Sequence, residues 1–309
     1  MSILKILILG SNGFFGKSIK NLMQNKNYHL FFLERKDLDF LNKDLLNNKF
    51  QEIKPDIVIH CCGIIGSSES NKKKDQLSIL NNNILLNINI FECCDINLVK
   101  KIILFSSYRI FSSNIHEFYN EDSLSFLDLD INNQNNSYLL SKKIMHSQMQ
   151  LLKQKNHSIQ IICLVLPNIF GCYDHFIKDG RIVPSIITRI NECKNKNVNI
   201  VSNAKTPVSL IYVNDIIRLL EECICRDDIY DNVIIFNYTT TLTLEKLVEK
   251  IKRIMNSDDT IEFDSQTPYQ ETNIMKPDIG KFHSLFQDFK FSDLDESLQE
   301  TIQFYLSNN

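Results

Sequence analysis

Residues 5–16 read Lys5-Ile6-Leu7-Ile8-Leu9-Gly10-Ser11-Asn12-Gly13-Phe14-Phe15-Gly16, an unbroken apolar run followed by three evenly spaced glycines. A run that is continuously apolar, rather than alternating, marks a strand covered on both faces. The strand is placed over Ile3–Leu9. The start of the chain has the look of a secretory apolar region, but Lys5 interrupts it and the glycines follow at once. Gly10, Gly13 and Gly16 allow a tight turn and close backbone approach. A strand, a glycine turn and then a helix leave the first N–H groups of that helix open to a diphosphate.

Working outward, the same strand–helix rhythm continues. Further strands are expected at His29–Leu33, Asp56–Cys62, Lys101–Ser106 and Gln160–Leu166. Amphipathic helices are expected near Lys17–Asn25, Lys43–Ile53, Leu77–Ile96 and Ser137–Lys153. This alternation predicts an α/β protein with a Rossmann-type doubly wound parallel sheet. After Gly171 shorter pieces intermix: helices at Val183–Asn191, Leu244–Met255 and Leu294–Tyr305, strands at Val208–Val213 and Val233–Asn237. The expected division is a dinucleotide-binding unit over 1–170 and a smaller α/β substrate-binding lobe over 171–309. Within the latter, some segments of about 208–240 are expected to return to the main sheet. Asn132–Asn136 reads as a surface loop.

Composition narrows the class. The chain has 309 residues, a net charge of −3, 43% hydrophobic and 23% charged residues, which suits one large or two joined globular units. The near-neutral balance gives no electrostatic basis for nucleic-acid or anionic-membrane binding, and no apolar run has the ~20 residues of a membrane span. Asn, Ile and Lys are over-represented, as in Asn81-Asn82-Asn83, while apolar periodicity runs through the bias; an A/T-rich coding sequence accounts for this better than an interaction segment. The nine cysteines include the pairs Cys61-Cys62 and Cys93-Cys94, and no CxxC or Cys/His ligand spacing occurs. A cytoplasmic, reduced protein without a metal is expected.

Tyr138-Leu139-Leu140-Ser141-Lys142 opens a helix with Tyr and Lys four apart, on one face. An ammonium beside a phenol is expected to lower its pKa and suit it to proton exchange. A YxxxK spacing alone is more often a solvated helix face. Here it follows Ser106-Ser107-Tyr108-Arg109-Ile110-Phe111, which places a hydroxyl at the C-terminal edge of a strand, where such sheets present ligand-binding groups. Such a serine would hydrogen-bond a substrate carbonyl oxygen alongside Tyr138.

These segments together resemble the extended short-chain dehydrogenase/reductases, and within them the GDP-L-fucose synthase-like nucleotide-sugar 4-ketoreductases. The resemblance also draws on Pro55–Gly66, on Asn83 and Asn89, on Leu166–Phe176, on Ile182–Arg189 and on Tyr212–Asp215. It implies a catalytic set of Ser107, Tyr138 and Lys142. It implies that Gly10, Asn12, Gly13, Phe14, Phe15 and Gly16 hold the dinucleotide diphosphate and that Cys61, Cys62 and Gly63 line the adenine-ribose side. Lys142 would meet the nicotinamide ribose, with Pro167 and Ile169 packing near the nicotinamide. Asn168, Arg181 and Arg189 are implied substrate contacts, although a turn asparagine and a surface helix charge are the plainer readings of Asn168 and Arg189. Arg35 corresponds to a cation for the 2′-phosphate of NADPH, while Glu34 beside it keeps NADH open. A homodimer through the Leu77–Ile96 and Ser137–Lys153 helices is also implied.

The departures matter as much. The synthases epimerise C3 and C5 with a Cys just after the Ser and a His further on; here those places hold Tyr108 or Arg109, and Arg181. Arginine does not deprotonate in proteins, so it cannot serve as that acid/base. A cation before Tyr212–Asp215 is also missing, with Lys205 the available substitute. The expected activity is NAD(P)H-dependent reduction of the C4 ketone of a nucleotide-activated 4-keto-6-deoxy sugar, without epimerisation. The alternatives are a nucleotide-sugar 4-epimerase holding NAD⁺ and a non-catalytic dinucleotide-binding sensor or scaffold.

Overall fold

The computed structural model describes residues 3–24, 26–64, 75–111, 118–120, 123, 136–193, 197–200, 202–229, 232–235, 241–264 and 276–308. Gly66 and Asn132–Asn135 lie outside the described residues. In chain order the elements are β1 (Lys5–Leu9), α1 (Phe14–Met23), β2 (His29–Leu33), α2 (Lys43–Ile53), β3 (Ile57–His60), α3 (Gln76–Ile96), β4 (Lys101–Ser107), β5 (Phe118–Tyr119), α4 (Asn136–Lys155) and β6 (Gln160–Leu166). There follow β7 (Asn168–Phe170), α5 (Ile182–Cys193), β8 (Val198–Ile200), β9 (Pro207–Tyr212), α6 (Val213–Cys225), β10 (Asn232–Ile235), β11 (Thr241–Thr243), α7 (Leu244–Ile254), β12 (Ile261–Phe263), β13 (Lys276–Pro277), α8 (Gly280–Leu285) and α9 (Leu294–Asn308).

The main sheet has six parallel strands in the order β10-β6-β4-β3-β1-β2. The chain moves one way from β1 to β2 and then the other way to β3, so the ends of β1 and β3 frame the crevice where doubly wound sheets take ligands. Both faces of the sheet are covered, which explains the unbroken apolar strands. Ile6, Ile8, Ile57, Ile59, Ile103 and Phe105 pack with α1 and α6 on one face. Leu7, Leu9, Val58, Ile102, Leu104 and Cys163 pack with α2, α3 and α4 on the other.

The helix expected at Lys17–Asn25 begins earlier, at Phe14, because the glycine turn delivers the chain into helical geometry directly after Gly13. Asn136 is helical rather than part of a loop. Among the described residues of 208–240, only β10 joins the main sheet, beside β6. Its other strand, β9, sits instead in a three-stranded sheet between β7 and β11. The strands β5, β7, β8, β11, β12 and β13 are two or three residues long, too short for periodicity to reveal.

One buried cation ties the sheet to its covering layer. Lys101, at the start of β4, is only 3% exposed. Its ammonium donates to the carbonyls of Cys223 (3.0 Å), Ile224 (3.3 Å) and Arg226 (3.0 Å), closing the C-terminus of α6. Cations are favoured there by the helix dipole and the otherwise unpaired carbonyls. Lys101→Met keeps the volume and strands three carbonyls; urea denaturation is expected to show a loss of about 2–3 kcal/mol.

Candidate active site

The turn from β1 into α1 is built by backbone proximity. Gly10 has φ +86°, and a Cβ there would stand 3.1 Å from the Cys62 nitrogen. A Cβ on Gly16 would lie 2.3 Å from Ser11 Cα and 2.6 Å from the Gly10 carbonyl oxygen, so only glycine fits. The Gly10 and Ser11 amides donate to the Leu33 carbonyl, at 2.9 and 3.1 Å, which fixes the turn against the end of β2. Gly13 is the N-cap of α1 and no side chain caps the helix. Its leading N–H groups therefore have no side-chain acceptor.

This turn borders a cleft of about 220 Å³ lined by Gly10, Asn12, Gly13, Glu34, Arg35, Asp39, Phe40, Leu41, Cys61, Cys62, Gly63, Ile64, Asn82 and Leu86. A roomier hollow of about 440 Å³ between α1, α6 and the start of α9 contains none of the residues assigned to catalysis or cofactor binding. Glu34 is paired with Lys36 at 2.7 Å. Arg35 is exposed on the rim and has no hydrogen bond or ion pair among the described residues. A cation is thus free where the neighbouring carboxylate is already neutralised.

Asparagines of α3 hold the cleft walls. Asn83 accepts from Ile64 N–H (2.8 Å) and donates to its carbonyl (3.1 Å). Asn89 donates to the carbonyls of Phe40 (3.1 Å) and Leu41 (2.9 Å). Asn87 was not foreseen: its Oδ1 lies 3.0 Å from Nε2 of the buried His60, whose Nδ1 accepts from Cys62 N–H at 3.3 Å. Burial, then the charge of Lys142, lowers the His60 pKa to about 4, so the ring is neutral and fixed as one tautomer. Nothing in the sequence distinguishes Asn87 from the many other amides in an Asn-rich chain.

At the edge of β4 the two serines diverge, as alternation along a strand requires. Ser106 is buried with Oγ 3.0 Å from His146 Nε2. Ser107 is half-buried at the strand end, its Oγ accepting from Arg109 N–H at 3.3 Å. Tyr138, in the first turn of α4, is half-buried against an apolar cluster that includes Ile110, Phe111, Tyr119 and Val165. Lys142 donates to the Phe105 carbonyl at 2.9 Å, which fastens α4 to β4 two residues before Ser107.

The expectation that Lys142 lowers the Tyr138 pKa is overturned. The ammonium points to the Phe105 carbonyl and stands 5.8 Å from the centre of the tyrosine ring. Burial pushes the phenol up to about 12; the cations that pull it back are Arg181, then Arg109. Burial also lowers the pKa of Lys142 itself.

On the C-terminal side, Pro167 is buried between β6 and β7, and Ile169 is half-buried against the core. Asn168 donates to the Ser209 carbonyl at 3.0 Å, tying β7 to β9. Arg189 is largely engaged within the protein: it donates to Ser185 Oγ (3.3 Å), the Asn199 carbonyl (3.2 Å) and the Lys178 carbonyl (3.1 Å). Arg181 bonds the buried carboxylate of Asp174 and lies over the Phe14 ring at 5.1 Å. Phe15 stacks on Phe105, with centroids 4.4 Å apart. Lys205 is exposed. Among the described residues no group of His, Cys, Asp or Glu is arranged to hold a metal ion.

Residues 6–229 match the NAD dependent epimerase/dehydratase family. The chain belongs to that family. It is similar, at 22% identity over 98% of each chain, to the GDP-L-colitose synthase of Yersinia pseudotuberculosis. Its fold matches a GDP-L-fucose synthetase from Naegleria fowleri with a TM-score of 0.86, at 21% identity over 99% of this chain and 94% of the other. It also matches a GDP-mannoheptose C4 reductase from Campylobacter jejuni, solved with NADP bound, with a TM-score of 0.84, at 20% identity over 99% of each chain.

The residues present fit the family's dinucleotide. The glycine turn packs so tightly that a Cβ at Gly16 would strike Ser11 and the Gly10 carbonyl, the N-terminus of α1 is uncapped by any side chain, and the cleft runs from that turn to the Arg35 rim. Gly16→Ala drives a methyl into backbone that cannot yield. Calorimetric titration with NADPH is expected to show loss of binding, with a stability loss of about 1–3 kcal/mol.

Proposed function

We propose that this protein is an NADPH-dependent reductase of the C4 ketone of a nucleotide-activated 4-keto-6-deoxy sugar, without C3/C5 epimerase activity. The observation that carries it is the bond from Lys142, one turn after Tyr138 on α4, to the Phe105 carbonyl two residues before Ser107, in a sheet whose first turn is a glycine cradle with an unpaired arginine on the rim of its cleft. The names of the relatives, GDP-sugar synthases and a C4 reductase, support the substrate class. The unit through residue 170 would bind the dinucleotide and 171–309 would meet the sugar nucleotide. The dinucleotide would supply the hydride for the carbonyl carbon. Ser107 Oγ–H donates to the substrate oxygen and Tyr138 Oη gives it a proton, while Lys142 fixes the helix that carries Tyr138. Arg35, unpaired beside a neutralised Glu34, favours the 2′-phosphate of NADPH over NADH. With Arg181 locked to Asp174, and Tyr108 or Arg109 where the cysteine would stand, the Cys–His pair that the synthases use for epimerisation is missing.

The test is incubation with GDP- and dTDP-4-keto-6-deoxyhexoses and either NADPH or NADH, followed at the nicotinamide absorbance. NADPH oxidation is expected, at least tenfold below in NADH, and Tyr138→Phe should lose about 10²–10⁴-fold in rate while still binding NADPH. No oxidation across the panel would sink the proposal. NAD⁺ released from the purified protein would redirect it to a 4-epimerase.

A homodimer through α3 and α4 belongs to the same reading. Leu77, Leu85, Ile88 and Ile96 are exposed along one side of α3, and Leu151 is exposed on α4, which packs against it. An apolar stripe of this kind is ordinarily covered by a partner. Light scattering is expected to give twice the chain mass, reduced to one by Leu85→Glu/Ile88→Glu.

A further inference from the structure

Arg181 reaches the glycine turn from the C-terminal side of the molecule, and most of its hydrogen-bonding capacity is unused. It stands just ahead of α5, and its Nη1 bonds the Asp174 carboxylate. The Asp174 side chain has no exposure; the bonded oxygen also accepts from His175 N–H at 2.7 Å, and the second oxygen is buried with no partner among the described residues. Tyr173, immediately before Asp174, has φ +66°, a left-handed conformation that residues with a side chain rarely adopt. Backbone strain of this kind collects at ligand clamps and active sites. A buried ion pair with an oxygen left over adds little stability, so what it supplies is a guanidinium held in one place. That guanidinium lies over the Phe14 ring, 5.1 Å from its centre. Phe14 is the first residue of α1 after the Gly13 N-cap, and Phe15 beyond it stacks on Phe105, two residues before Ser107. Nε and Nη2 of Arg181 have no hydrogen bond among the described residues, and the side chain keeps part of its surface open.

The charges around the turn are short of a cation. Residues 10–16 contain none. Among the described residues that line the neighbouring cleft, Arg35 is the one cation, and Glu34 and Asp39 are carboxylates. NADPH carries a doubly charged diphosphate bridge besides its 2′-phosphate, and a helix N-terminus offsets only roughly half a charge. With Arg35 given to the 2′-phosphate, the bridge lacks a full counter-charge.

We propose that Arg181 binds the diphosphate bridge of NADPH on its nicotinamide side, an assignment that rests on the dinucleotide use in the reductase reading and not on which sugar is reduced. Arg181 is not among the residues lining the Arg35 cleft; it comes over the turn where Phe15 meets Phe105 and β4 ends at Ser107. Its two free nitrogens present planar N–H groups that match phosphate oxygens, and a guanidinium already fixed by an ion pair and a ring loses little freedom on binding. A sugar nucleotide has a diphosphate too, and the position over Phe14 gives the arginine to the dinucleotide. Where the synthases place an epimerase histidine, this chain has exchanged an acid/base for a cofactor anchor.

Calorimetric titration with three probes separates the parts of the dinucleotide, with no turnover required. NADPH and 2′-phospho-ADP-ribose both contain the diphosphate bridge; adenosine 2′,5′-bisphosphate lacks the nicotinamide-side phosphate. Arg181→Gln is expected to weaken the first two by about 10–100-fold and the third by less than about twofold. Arg181→Lys, which keeps the charge and loses the fork, is expected to fall between wild type and Arg181→Gln. Equal weakening of all three probes, or unchanged NADPH binding, overturns the proposal. GDP is titrated alongside; its weakening in place of NADPH would give the arginine to the sugar nucleotide and overturn the proposal as well. Should Arg181→Gln fail to fold with Asp174 unpaired, the double variant Arg181→Gln/Asp174→Asn removes both charges and is held to the same selective loss. A wild type that shows the selective loss on substitution but turns over no sugar refutes the reductase alone, and one that does not bind NADPH refutes both.

Discussion

Everything at the cleft depends on how closely two backbones pass at the C-terminal ends of β1 and β3. The turn at Gly10 runs against Cys61 and Cys62 with room for no more than a hydrogen on its α-carbon, and Gly16 sits on Ser11 in the same way. That approach fixes where α1 begins and aims its free N–H groups into the crevice between the diverging strands. Small cysteines at positions 61 and 62 fit the same constraint, since bulkier side chains would press on Gly10. The Arg35 rim and the Arg181 guanidinium over Phe14 are then arranged around a turn that has almost no freedom of its own.

The parallel sheet was legible because burial on both faces leaves a signature that local composition does not blur. Strands β2 and β6 and helix α2 have the bounds that periodicity assigned. The short strands on the C-terminal side were not legible, because two or three residues carry no period, and their pairing is set by partners distant in the chain. Which segments of 208–240 return to the main sheet was unreadable for that reason: β9 and β10 read alike locally, and only tertiary pairing separates them.

Of the candidate site, residue types were readable and orientations were not. Spacing placed Tyr138 and Lys142 on one helical face, yet a carbonyl two residues before Ser107 captures the lysine. Arg189 shows the same limit, since its sequence context matches a substrate cation while its hydrogen bonds mostly go to nearby backbone and side chains of its own lobe. Asp174 was read only as part of a motif, and its importance comes from being enclosed beside Arg181, a fact of packing. The bias towards asparagine hid Asn87, which became visible once His60 was found against it.

Those asparagines have a consequence beyond holding loops. The walls of the cleft are pinned by amide groups and by a histidine that stays neutral above about pH 4, none of which changes charge near neutrality. The shape of the cleft is thereby separated from the pH of the solution. Across the neutral range the same internal hydrogen bonds hold its walls, so its form and the charge of whatever enters it answer to different variables.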